Sequence, residues 1–114
     1  MSKAYFICTV DGVGEAIWEP EADVYKVRWG WIVKYDLAGI NPEDLRIEIQ
    51  KNKLLLYGVR RDILIEENQI HYSMEISYSR FRRFIAFDTD LSSAEVTSEY
   101  KDGMLFVRIR MENP

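Results

Sequence analysis

With one cysteine, Cys8, in its 114 residues, the chain has neither an internal disulfide nor a thiolate metal cluster. Cys8 reads as a small apolar residue rather than a redox centre. One histidine, His71, leaves no histidine pair for a zinc or catalytic centre. The sequence holds no Gly-rich phosphate loop and no nucleophile elbow. Its paired acids, Glu66 with Glu67 and Asp88 with Asp90, stand in connecting segments, where neighbouring carboxylates are solvated charge. No apolar run approaches the roughly 20 residues that cross a bilayer. The amino end lacks a basic stretch followed by an apolar core and a small-residue cleavage site. Positive charge is also short: 15 Lys and Arg against 19 Asp and Glu give a net charge of −4, which disfavours nucleic acid and anionic membrane as partners. The expectation is a cytoplasmic protein that is not an enzyme and uses no cofactor or metal.

Apolar content of 47% with 30% charge suits one folded domain with one core. Seven Tyr, five Phe and three Trp lean towards strands, and the apolar pattern agrees, because helical periodicity is nearly absent while period-two alternation recurs. Residues 22–27 and 31–37 read as a hairpin, with Trp31, Val33, Tyr35 and Leu37 on the better-buried face. Leu45, Ile47 and Ile49 alternate with Arg46, Glu48 and Gln50. A tight turn at Lys51-Asn52-Lys53 follows, in which Asn52 is the residue suited to left-handed backbone, and 54–59 returns antiparallel. Asn41-Pro42-Glu43-Asp44 reads as a capped turn, with Pro42 in its first position. Residues 95–100 and 104–110 form a last hairpin about Lys101-Asp102-Gly103. About seven strands joined by short turns predict an all-β, two-sheet antiparallel β-sandwich, since a single open sheet would leave an apolar face wet.

Two segments stand outside this scheme. Residues 1–19 read as a short arm carrying the apolar run from Tyr5, Phe6 and Ile7 to Val10, before a domain at 20–111 and a residual tail at 112–114. Residues 61–77 make a connection long enough to suggest a function of its own.

Three motifs in order carry a resemblance. Leu37-Ala38-Gly39-Ile40-Asn41-Pro42-Glu43-Asp44 runs into an alternating strand and then Leu54-Leu55-Leu56-Tyr57-Gly58-Val59-Arg60. Phe81-Arg82-Arg83-Phe84-Ile85-Ala86-Phe87 follows, and then Ser98-Glu99-Tyr100-Lys101-Asp102-Gly103-Met104-Leu105. Together they resemble the α-crystallin domain of small heat-shock proteins, of the type found in plants, bacteria and archaea. That resemblance implies an immunoglobulin-like sandwich and an ATP-independent holdase, which binds unfolding client proteins and keeps them from aggregating. It also implies a homodimer made by strand exchange. Ile70, His71, Tyr72 and Met74 would supply the exchanged strand, followed by Glu75; Asp23, Val24, Tyr25 and Lys26 would form the accepting edge; and Arg83 would be the family's strand arginine. Clients would enter a groove between Leu45, Ile47 and Ile49 on one strand and Val96 and Tyr100 on another, with the arm at Tyr5, Phe6 and Ile7 as a second surface. Ala38, Ile76 and Ser79 replace the family's usual Pro, Arg and Gly. The family's Ile-x-Ile/Val tail, which docks between the fourth and eighth strands of a neighbouring dimer, has no counterpart after the last strand. The expectation is therefore a dimer or small oligomer rather than a cage. Ile63-Leu64-Ile65 repeats those letters inside the long connection, where it reads as cover for the dimer seam. The alternative function is that of a CS-domain co-chaperone, a similar sandwich that binds one dedicated partner.

Overall fold

The computed structural model describes residues 14–111, with side chains from Ile17. Eight strands and one 3-10 turn follow in order: β1 (Gly14–Trp18), β2 (Ala22–Val27), β3 (Gly30–Asp36), the turn Pro42–Asp44, β4 (Leu45–Gln50), β5 (Lys53–Val59), β6 (Ser79–Ala86), β7 (Glu95–Lys101) and β8 (Met104–Arg110). They make two four-stranded sheets, ordered β1-β6-β5-β4 and β2-β3-β8-β7. All pairings are antiparallel except β1 with β6, which is parallel and carries a register shift between Gly14 and Ile17. The all-β sandwich is thus as the alternation implies, with one parallel edge added.

Alternation explains which side chains meet between the sheets. Val33 and Tyr35 of β3, Leu54 and Leu56 of β5, Phe81 of β6 and Leu105, Val107 and Ile109 of β8 point inward and are buried. Each such apolar side chain contributes roughly 1.5–3 kcal/mol when removed from water. Trp18 meets Phe81 edge-on at 5.7 Å, which fixes β1 against the core. Gly14–Trp18, within the segment read as an arm, therefore belong to a sheet.

Turn chemistry agrees in one hairpin and differs in another. Asp102 (φ 53°) and Gly103 (φ 78°) both adopt left-handed backbone, as a two-residue turn matched to strand twist requires. At the β4–β5 turn it is Lys51 (φ 56°), not Asn52, that takes the left-handed conformation. Asn52 is held elsewhere: its Nδ2 donates to the Phe87 carbonyl (2.8 Å) and its own carbonyl accepts the Phe87 N–H (2.8 Å). These bonds tie the hairpin to the chain leaving β6 and leave Lys51 to make the bend. Asn41 caps the 3-10 turn as its sequence suggests, its Oδ1 accepting the Glu43 N–H at 3.0 Å.

Candidate functional site

Strands β4 and β7 are the free edges of the two sheets at one side of the sandwich. Their inward residues are only half-buried: Leu45, Ile47 and Ile49 on β4, and Val96 and Tyr100 on β7. Between the edges lies a groove of about 410 Å3 lined by Pro42, Leu45, Arg46, Ile47, Ser98, Tyr100 and Leu105. Leu45, Ile47 and Tyr100 therefore share one groove, while Ile49 and Val96 sit beside it, packed on the core. Sequence reasoning missed Pro42 and Arg46 at the turn into β4, and on the facing hairpin Ser98 and Leu105. The latter two were within its reach, because Ser98 has the same strand parity as Val96 and Tyr100, and Leu105 is the register partner of Tyr100.

The Tyr100 hydroxyl does structural work at one end of the groove. It donates to the Leu37 carbonyl at 2.6 Å and accepts the Ile40 N–H at 3.3 Å, pinning the turn that leads into β4. Tyr100→Phe removes the donor and leaves two backbone groups unpaired, so a loss of about 1–2 kcal/mol is expected in urea unfolding. The ring that lines the groove is kept.

The second surface lies at the opposite edge. Strand β2 borders its sheet, with one side unpaired among the described residues, and Asp23, Val24, Tyr25 and Lys26 are exposed. Lys34 on β3 reaches across to Asp23 (3.6 Å) and over the Tyr25 ring (5.5 Å), and Tyr25, with Asp23 adding to it, raises the Lys34 pKa. The connection 61–78 contains no strand within the single chain. Its apolar residues face solvent: Ile63 is 84% exposed, Ile65 87%, Ile70 86% and Tyr72 100%. His71 and Glu75 are exposed as well, and Met74 is half-buried. Within one chain the Ile63-Leu64-Ile65 segment covers no core.

Arg83 lies on the inward face of β6, half-buried, where its Nη1 donates to the Pro20 carbonyl at 2.9 Å. Its charge opposes the burial that pushes the neighbouring Tyr35 phenol far above its ordinary pKa. Arg60, the last residue of the motif at 54–60, clamps both ends of this region. It stacks on Trp18 at 4.0 Å and donates to the carbonyls of Ser77 (2.9 Å) and Ala38 (3.1 Å), and its burial lowers its pKa. Tyr5, Phe6 and Ile7 lie outside the described residues. Among the described residues no group of three His, Cys, Asp or Glu side chains is placed to hold a metal ion.

Two sheets ordered in this way, a capped turn leading into β4, and a Gly58-x-Arg60 strand end followed by a long connection are the features to compare with known proteins. The sequence model of the Hsp20/alpha crystallin family matches residues 23–114. The chain belongs to this family. Among solved members of similar fold, HSP18.5 from E. histolytica superposes with a TM-score of 0.69 at 25% identity, covering 82% of this chain and 88% of that one. The hspA protein of Xanthomonas axonopodis gives 0.67 at 26% identity, covering 83% and 95%. Small heat shock protein C2 of Rickettsia felis is 24% identical over 90 residues, 79% of this chain and 58% of the relative. This Hsp20-family chain thus spans less than two thirds of the length of that relative.

Proposed function

We propose that the chain is an ATP-independent holdase chaperone that captures apolar segments of unfolding proteins. The observation that carries this reading is the groove between β4 and β7, lined by Pro42, Leu45, Ile47, Tyr100 and Leu105 with Arg46 and Ser98 at its border, beside two strand edges that no other described strand covers. An extended client segment can add backbone hydrogen bonds at either edge while alternate side chains enter the groove. Seating two apolar side chains is worth roughly 3–6 kcal/mol, from which the ordering of a flexible client subtracts. Affinity is then weak and indifferent to exact sequence, as a holdase requires, and each bound segment is withdrawn from the aggregating pool by mass action.

The working unit in this reading is a strand-exchanged homodimer. Ile70, His71, Tyr72 and Met74 of one chain lie along Asp23, Val24, Tyr25 and Lys26 of the other, which satisfies the β2 edge and covers the exposed apolar residues of the connection.

The test is light scattering of a thermally unfolding model client, without nucleotide, at up to one dimer per client. Suppression near stoichiometry is expected, and Ile47→Asp, which places a carboxylate in the groove, is expected to lose most of it while keeping its far-UV spectrum. A folded wild-type chain that leaves aggregation unchanged overturns the reading.

A further inference from the structure

The outer faces of the two sheets carry charge differently. On β2-β3-β8-β7 two outward pairs form, Asp23 with Lys34 and Glu99 with Arg108, each at 3.6 Å. On β1-β6-β5-β4 the register sets Arg46, Tyr57 and Arg82 in one row across three strands and places Arg80 beside Val59 in the next. Adjacent strands stand about 4.8 Å apart and outward neighbours on one strand roughly 7 Å apart, so three arginines flank one tyrosine on this face. Among the described residues neither Arg80 nor Arg82 has an ion-pair partner. The nearby Glu48 carboxylate is engaged with Tyr57, whose pKa is raised by desolvation and by that hydrogen bond. Arg46 is fixed, its Nη1 donating to the carbonyls of Glu43 (3.1 Å) and Leu45 (2.8 Å).

These residues wall a cavity of about 460 Å3, with Ile17 and Val59 as apolar lining and Glu43 and Asp44 also in its wall. Asp44 is held by Arg61 at 3.6 Å; Glu43 offers its carboxylate. The size falls within the roughly 300–1,000 Å3 typical of small-ligand sites. We propose that this cavity binds a small phosphate-bearing ligand with a planar ring, of the nucleoside monophosphate class. Arg80 and Arg82 present planar forks that match phosphate oxygens. The Tyr57 ring gives the planar group a stacking surface, and Glu43 accepts from an exocyclic amino group. An extended acidic peptide fits less well, because it would run into Glu43 and Asp44. A nucleic-acid strand needs a longer basic track than three arginines on a chain whose net charge is −4. This site lies on the outer face of its sheet, shares only Arg46 with the groove and does not rest on the chaperone reading.

The experiment is isothermal titration calorimetry of the full chain at low salt, with adenosine 5′-monophosphate and with inorganic phosphate as probes. Two variants accompany the wild type: Arg80→Gln/Arg82→Gln and Tyr57→Leu. Saturable binding of the nucleotide is expected, weakened at least tenfold by the double arginine variant. Inorganic phosphate should bind more weakly, lose its binding in that same variant and be indifferent to Tyr57→Leu, which weakens the nucleotide alone. Arg80 and Arg82 are exposed, so the variant keeps its fold, and a matching far-UV spectrum verifies this. Absent nucleotide binding, or binding undiminished by the arginine substitutions, overturns the proposal. A 12-nucleotide single strand that binds more than a hundredfold tighter than the monophosphate also overturns it, by assigning the face to nucleic acid.

Discussion

Gly58→Ala is expected to lower the thermal midpoint by on the order of 10–20 °C. A Cβ at this position would collide with the Asp44 backbone carbonyl oxygen and stand 2.8 Å from Phe81 Cζ. Neither neighbour can give way easily. Asp44 closes the 3-10 turn that aims β4, and Phe81 is 1% exposed in the core, its ring also met by Trp18. Overpacking a site of this kind costs about 1–3 kcal/mol or more, and each kcal/mol shifts the midpoint of a domain this size by roughly 4–8 °C. Gly39→Ala is the control. Its φ of +73° imposes left-handed strain on any side chain, about 1–2 kcal/mol, but the nearest atom to its new Cβ would be Arg60 Cδ at 4.0 Å. Circular dichroism melts of both variants separate close packing from backbone strain. Equal, small shifts would show that the β5–β4 approach is softer than its geometry implies.

The second large effect is on assembly. Replacing residues 68–75 by a Gly-Ser linker of the same length is expected to raise the dimer dissociation constant at least a hundredfold, a loss of about 3 kcal/mol. The replaced segment holds Ile70, His71 and Tyr72, all exposed in the single chain, and it contributes no strand to either sheet. Its removal should therefore leave the sandwich intact. In the strand-exchange reading the same residues supply the backbone partners of the β2 edge and the apolar cover over Val24 and Tyr25. Sedimentation equilibrium checks it. An unchanged association constant with a native far-UV spectrum would move the dimer contact away from this connection.

The contrast between these two regions shows how far local pattern reaches. The β2–β3, β4–β5 and β7–β8 hairpins were readable because each pairs neighbouring segments, so that alternation and a short turn specify the register together. The Asn41 cap was readable for the same reason. Strand β1 was not, because it pairs in parallel with β6, more than 60 residues away in sequence, and follows Asp11-Gly12-Val13-Gly14, which reads as a break. Lys51 replaced Asn52 as the left-handed residue because Asn52 is bonded to Phe87, a contact invisible to local chemistry. The same holds at the sites. Leu45, Ile47 and Tyr100 were nameable from alternation and resemblance, whereas the cluster of Arg46, Arg80 and Arg82 appears only once β4, β5 and β6 are placed in register. Arg60 likewise shows its part only when Trp18, Ala38 and Ser77 are brought around it.

Hydrogen exchange of the chain, alone and with a thermally unfolding client, bears most directly on the groove as the capture surface. Slowed exchange at the free-edge amides of β4 and β7, centred on residues 45–49 and 96–100 and absent in Ile47→Asp, is the expected result. Exchange there that is unchanged while the client is held in solution would contradict it and place client capture elsewhere on the molecule.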